Sequence, residues 1–341
     1  MGLVRFAARR LLLALPTLLG LLVVAFVLAN YLPGDPLARL LGDVGGSDPV
    51  ARAAYEKEWG LDAPIYERFW VYLQHLVTGD MGQSTLTRRG VADDLLEFFP
   101  ATVELALAAI VVAGVLGLVL GSVAAFYHNK WPDLVVRTIA LVASGVPVFW
   151  LGIIGLQVFY LRFDVLPGPE GRLGRDFEPP THITGLYTFD ALITGDFGTM
   201  WDAMRHLLLP AFVLGSFFLG LLARMTRASM LEVLRAPHLV TARSKGVSAR
   251  TLLQFHILPN ALIPTVTVLG LAIGGLLAGA VLTETVFSWP GIGRYAVDAA
   301  KALDYQAILG VTVLIGAVYV VTNAVVDIVY AALDPRIRLG E

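Results

Sequence analysis

Residues 101–126 read ATVELALAAIVVAGVLGLVLGSVAAF and contain a single charged side chain, Glu104. A helix rises about 1.5 Å per residue, so about 20 such residues cross a hydrocarbon core about 30 Å thick. This stretch is long enough to span a bilayer. Working outward, the chain holds five more apolar runs: Leu11–Leu32, Thr138–Leu161, Leu207–Leu222, Thr265–Leu282 and Ala307–Leu333. The run Leu207–Leu222 is short, so its helix should extend beyond these limits. Over 341 residues the chain is 57% hydrophobic and 15% charged, too apolar for a water-soluble domain. The expected fold class is an all-α integral membrane protein with six transmembrane helices.

An even number of crossings puts both termini on one side. Segments 1–10, 127–137, 223–264 and 334–341 would share it, with 13 Lys and Arg against 4 Asp and Glu in 71 residues. Segments 33–100, 162–206 and 283–306 carry 12 basic against 21 acidic residues in 137. The basic enrichment marks the terminal side as cytoplasmic. A cleaved leader is the rival reading of the N-terminus. However, the first apolar run is 22 residues long, and Ala29-Asn30-Tyr31 offers no small-x-small cleavage site. It is expected to persist as the first helix. Position 6 is Phe6, which argues against myristoylation.

Composition also excludes chemistry. With no cysteine there is no disulfide framework, thiolate nucleophile or Cys-ligated metal site, and the net charge of −2 argues against nucleic-acid binding. His-Glu-x-x-His and Gly-x-Ser-x-Gly are absent, and the six histidines show no ligand spacing, so no catalytic or metal site is expected. Nor is there a Gly-x-x-x-x-Gly-Lys-Ser/Thr; Ser244-Lys245-Gly246 has the order reversed. No cofactor should bind this chain, and energy for active transport would come from another.

Only Glu104 and Asp327 are ionisable within the runs. Charges in lipid are costly, which makes both candidates for pathway, gating or structural roles. A carrier coupled to protons or sodium would need a relay of acids at the midplane, and none is visible. Small-residue pairs one turn apart occur at Gly117–Gly121, Gly270–Gly274 and Gly275–Gly279, and imply close helix packing.

The longest cytoplasmic segment, 223–264, has Arg224, Arg227, Arg235, Arg243, Lys245 and Arg250 against one acid, Glu232. Pro237 should start a short helix stopped at Gly246, and Ser248 should cap a second helix over Ala249–Leu258 before Pro259 and Pro264. Helix, glycine corner and helix would form a compact knob, unless the basic residues simply lie on anionic headgroups. Outside, Asp48-Pro49 reads as a helix start, and Ile65–Val77 places Ile65, Phe69, Tyr72 or Leu73, and Leu76 on one face.

In order along the chain come Leu15-Pro-Thr-Leu-Leu-Gly20, Leu32-Pro-Gly-Asp-Pro36, Gly60-Leu-Asp-Ala-Pro64, Gly79-Asp-Met-Gly-Gln-Ser84 and Pro100-Ala-Thr-Val-Glu104. Then follow Ser144-Gly-Val-Pro-Val-Phe-Trp150, Thr241-Ala-Arg-Ser-Lys-Gly246, His256-Ile-Leu-Pro-Asn260, Glu284-Thr-Val-Phe-Ser-Trp-Pro-Gly-Ile-Gly293 and Asp334-Pro-Arg-Ile-Arg338. In this order they resemble the dipeptide/oligopeptide permease family, the transmembrane subunits of binding-protein-dependent ABC importers. The resemblance implies a type I importer permease in a prokaryotic cytoplasmic membrane. It also implies a second homologous permease, two cytoplasmic ATPase subunits that hold ATP and Mg, and an extracytoplasmic solute-binding protein.

By the same resemblance the knob is the coupling loop that docks on an ATPase. The family pattern is Glu-Ala-Ala, a glycine four residues on, and Leu-Pro about a dozen later. Val240 and Thr241 take the first two places, Ala242, Gly246, Leu258 and Pro259 match, and Arg243, Lys245 and His256 complete the implied contact set. The missing glutamate is a departure. Pathway or gating candidates are Glu104, Glu284 and Asp327. The implied organisation is an N-terminal segment and first span over 1–32, an extracytoplasmic loop with short helices over 33–100, and a permease core over 101–341. The implied cargo is a short peptide. The same machinery could carry an oligosaccharide, nickel chelate or glutathione, and a more distant alternative is an ion-coupled carrier without ATPase partners.

Overall fold

The computed structural model describes residues 3–30, 63–248 and 251–333. Pro33–Pro36, the Asp48-Pro49 helix start, Gly60–Asp62 and Asp334–Arg338 lie outside them. The chain divides into two compact units, Met1–Thr102 with Pro290–Glu341, and Val103–Trp289. Among the described residues the structure is helical, apart from one isolated antiparallel bridge between Gln83 and Gly90.

In the first unit, α1 (Leu3–Asn30) packs along the last helix, Tyr305–Leu333. Helix α2 (Ile65–Thr78) starts after Pro64 and stops at Gly79, whose φ of 82° lets the Gly79 and Asp80 amides close on the last turn's carbonyls. Its apolar face is the one the sequence spacing marks: Tyr72 is buried with Phe26, Ala25 and Leu309, and Phe69 and Leu76 pack against them. Ile65 departs from that face and stays 46% exposed.

Helix α3 runs Val91–Phe126, ten residues earlier than its apolar run. Asp93 and Asp94 suit the positive end of the helix dipole, and Val91 and Leu95 bury against Ile292, Tyr295, Ala307 and Val311. Farther along α3, Leu107, Val111, Val115 and Val119 form an exposed stripe at four-residue spacing, while Ala106, Ala109 and Ala113 face inward. A bare valine stripe on a long helix suits lipid rather than water.

In the second unit the apolar run Thr138–Leu161 is not one straight helix. Helix α4 (Trp131–Gly145) and α5 (Val148–Gly155), which continues as a π-helical stretch Leu156–Arg162, meet at a bend of 109°. Pro147 supplies no amide and forces Val146 into the extended region, φ −83° and ψ 132°. The bend therefore sits within the Ser144–Trp150 motif. After α6 (Tyr187–Thr194), the run Leu207–Leu222 proves to be the middle of a 38-residue helix, α7 (Phe197–Leu234), N-capped by Asp196 on the Thr199 amide at 3.0 Å.

The chain then forms α8 (Pro237–Ser244), a π-helical stretch Leu252–Ile257, α9 (Leu258–Gly279) and α10 (Val281–Val286), all in the second unit. The first unit is completed by α11 (Ile292–Ala302) and α12 (Tyr305–Leu333). Among the described residues Val91–Phe126, Phe197–Leu234 and Tyr305–Val326 are long and apolar enough to cross a membrane, and the bent pair makes a fourth if it is one crossing. The runs Leu11–Leu32 and Thr265–Leu282 also fall largely on helices, α1 and α9.

Candidate functional site

The basic segment after α7 folds as a knob on the end of that helix. Helix α8 begins at Pro237, the Lys245 amide donates to Thr241 O at 3.2 Å, and the chain turns at Gly246 with φ +78°. Left-handed backbone is routine only for glycine. The Val247 amide closes the corner on Ala242 O at 3.3 Å. The Ser248 hydroxyl then accepts from the Thr251 amide at 3.2 Å, as an N-cap does.

The second arm runs without a stop through the π-helical turn and Pro259 into α9, so the knob is continuous with a long apolar helix. Leu239, Leu252, Ile257 and Ala261 bury together with Met230 of α7 and Ala125 of α3, and Ala242 packs at the edge. Thr241, Lys245, Gly246 and Pro259 are exposed, whereas His256 and Leu258 are half-buried. His256 O accepts from Asn260 Nδ2 at 2.8 Å. The side chains of Val240 and Arg243 lie outside the described set.

Phe255, which the sequence pattern did not mark, is 70% exposed on the outer face of this knob. An aromatic ring bare to solvent among polar neighbours suits a protein contact. The only signal in the sequence is its place beside Gln254 and His256, off the Leu252–Ile257 face.

Glu104 is held by named partners. Its Oε2 accepts from Arg172 Nη2 at 2.6 Å and Nε at 3.2 Å, and its Oε1 accepts from the Thr188 amide at 2.8 Å and hydroxyl at 2.7 Å. Arg172 also donates to Gly185 O at 2.7 Å and lies 3.4 Å over the Tyr187 ring. The Asp190 carboxylate next to them collects the amides of Ile183, Thr184 and Gly185 and the Thr184 hydroxyl. Burial opposes ionisation of Asp190, yet these donors outweigh it and hold the carboxyl below its ordinary range. Charge compensation thus folds the Gly- and Pro-rich stretch that follows Arg162 onto α3. Glu284 is fully buried on α10, next to the equally buried Thr283. Asp327 lies on α12, its side chain outside the described set. Among the described residues, no three His, Asp or Glu side chains gather as a metal site.

Close helix contact in this unit follows the glycines. A Cβ on Gly117 would stand 2.7 Å from Leu222 Cβ, and one on Gly121 2.6 Å from Thr226 Cβ. The pair Gly117–Gly121 therefore serves packing within the chain. Thr226 and Thr265 hydroxyls meet at 3.1 Å between α7 and α9. Among α3, α7 and α9 lies an almost wholly apolar pocket of about 350 Å³, lined by Ile110, Gly114, Leu118, Leu222, Leu262 and Leu269.

Residues 117–339 match the family described as binding-protein-dependent transport system inner membrane component, and residues 3–106 match the N-terminal part described for such membrane components. The chain is 44% identical to the probable D,D-dipeptide transport system permease protein of Escherichia coli K12, over 94% of both chains. It is 43% identical to the di/tripeptide transport system permease protein of Pseudomonas aeruginosa, over 98% of both. A glutathione transport system permease protein of Escherichia coli O6:H1 is 36% identical over 98% of both.

Proposed function

Because the chain belongs to the family of inner membrane components of binding-protein-dependent transport systems, we propose that it forms half of the pathway by which an ATP-driven importer takes up short peptides. The cargo rests on the relatives over nearly the whole chain whose names specify dipeptides, D,D-dipeptides or di- and tripeptides. A second reading, glutathione as cargo, is favoured by the relative named for glutathione transport.

The observation that carries the mechanism is the knob of α8, Gly246 and the 252–257 turn. Its buried leucines join the ends of α3 and α7, and its outer face is bare. A compact body fixed to helix ends can be pushed as a unit. The reading has six crossings with both termini cytoplasmic, which puts the knob against one of two ATPase subunits. ATP and Mg bind there, and this chain carries out no covalent chemistry. A second, homologous permease supplies the other half of the wall, and an extracytoplasmic binding protein delivers the solute. ATP-driven closure of the ATPase pair would favour the outward-facing state, and hydrolysis would reset it. Within that scheme Val240, Thr241, Arg243, Lys245 and His256 belong to the docking surface, whereas Glu284 and Asp327 belong to pathway or gating.

The test is ATP hydrolysis by the co-purified complex in lipid nanodiscs, with its binding protein either empty or loaded from a pool of di- to hexapeptides. Stimulation by the loaded form, with peptide identified by mass spectrometry, is expected. A complex without ATPase would reject the importer, and stimulation by a sugar or metal chelate but not by peptide would replace the cargo.

A further inference from the structure

The corner between α3 and α4, Tyr127–Lys130, belongs to none of the motifs above, yet it is held by a buried carboxylate. Asp133 Oδ1 accepts from Arg227 Nε at 2.7 Å, and Oδ2 accepts from Arg227 Nη2 at 2.8 Å and from the Asn129 amide at 2.9 Å. Arg137 Nε stands 3.5 Å from Oδ1, and His128 Nδ1 lies 3.1 Å from Arg227 Nη2. Two parallel bonds from one guanidinium fix direction as well as distance. Arg227 precedes by three residues Met230, the α7 residue buried in the knob's core. One turn earlier Arg224 Nη1 reaches Ser144 Oγ at 2.7 Å and Ala140 O at 3.1 Å, and Gly220 lies so close to Ala140 O that no Cβ would fit. Helix α4 is therefore pinned to α7 at Asp133, Ala140 and Ser144, and its pinned length ends where the chain bends at Val146-Pro147.

We propose that Asp133 and Arg227 are positioning residues that make α4 a second output of the coupling knob. Motion imposed on α8 carries the end of α7, and the carboxylate–guanidinium fork carries the 127–133 corner and α4 with it as far as the Pro147 bend. The proposal rests on the importer reading above and adds a second transmission element to it. A purely stabilising ion pair would change how much complex is assembled, but not how much solute each ATP moves.

The experiment uses the complete complex with its binding protein in proteoliposomes. For Asp133→Asn the expected result is peptide-stimulated ATP hydrolysis retained, with transported peptide per ATP lowered about fivefold or more. An unchanged ratio of transport to hydrolysis would overturn the proposal. Should Asp133→Asn fail to assemble, the otherwise unaltered complex decides. Spin labels at Lys130→Cys and Gln254→Cys, both exposed sites in a chain without other cysteines, should keep one separation with and without ATP. A nucleotide-dependent change in that separation would overturn the proposal. An unaltered complex without ATPase activity would instead reject the importer reading.

Discussion

Arg172 Nη2 lies 2.6 Å from Glu104 Oε2, although the two stand 68 positions apart in the chain, and both side chains are buried. Removing one partner of such a pair leaves a charge without compensation, at a cost of about 3–5 kcal/mol. Arg172→Ala should therefore lower the melting temperature of the purified complex and open residues 163–194 to protease. Glu104→Gln with Arg172→Leu should recover part of the loss, because neither buried charge remains. A double variant no better than Arg172→Ala would show that the pair is not the source of the effect.

At Gly246 the φ of +78° excludes most side chains by backbone strain alone, since nothing lies within 4 Å of a Cβ there. The cost is about 1–2 kcal/mol for an ordinary residue and smaller for asparagine. Gly246→Val should reduce ATP-dependent uptake and Gly246→Asn should largely preserve it. Unchanged uptake in Gly246→Val would reject this corner as part of the coupling surface.

Phe255, 70% exposed, contributes little to the fold of this chain. If it anchors the ATPase, Phe255→Ala should weaken subunit association by about 2 kcal/mol, roughly thirtyfold, in a titration of the ATPase onto the permease pair. The melting profile of the isolated permease pair should not move. Equal affinity for both forms would remove Phe255 from the interface.

The absence of cysteine makes the orientation directly measurable. Lys130→Cys should react with a membrane-impermeant maleimide only from the cytoplasmic side. Arg175→Cys, at a side chain 88% exposed between α5 and α6, should react only from outside. Labelling of both from the same side would refute a single crossing between them.

Asp190 gives the segment 163–194 an acid limit. Its carboxyl is held below the ordinary value near about 3.9, so its stabilising contribution is complete above that value and is lost as pH falls through the lower folded one. Thermal unfolding followed from pH 6 to 3 should show a loss below about pH 4 that Asp190→Asn lacks. An identical profile for the variant would assign the acid limit to other groups.

The apolar runs located the helices because membrane-spanning segments declare themselves by length and hydrophobicity. Gly117–Gly121 likewise announced its packing role, and the amphipathic spacing of Ile65–Val77 found most of the buried face of α2. Other features were hidden because they depend on partners far along the chain. Nothing near Arg172 marks it as buried, since its counter-charge lies on α3 and its supports are Gly185, in a stretch without periodicity, and Tyr187 at the start of α6. The turns of α3 and α7 beyond the apolar runs are polar enough to resemble loops, and tertiary burial of Val91 and Leu95 on α3 and of Met230 on α7 decides them. The 109° bend did leave a trace, Pro147, which a reading by hydropathy alone passes over. Asp133 sits behind Lys130-Trp131-Pro132, a helix-start pattern that says nothing of Arg227, 94 residues away.

Helix α7 extends for 38 residues without interruption, and each of its residues is turned about 100° from the last. Inserting or deleting one residue anywhere in its middle would rotate Arg224, Arg227 and Met230 away from their partners by that angle. Evolution can therefore lengthen or shorten this protein in connections such as 163–186 but not along that rod, where even one added turn would displace those residues by about 5.4 Å. Substitution at a fixed residue count is the route left open for altering what lines it.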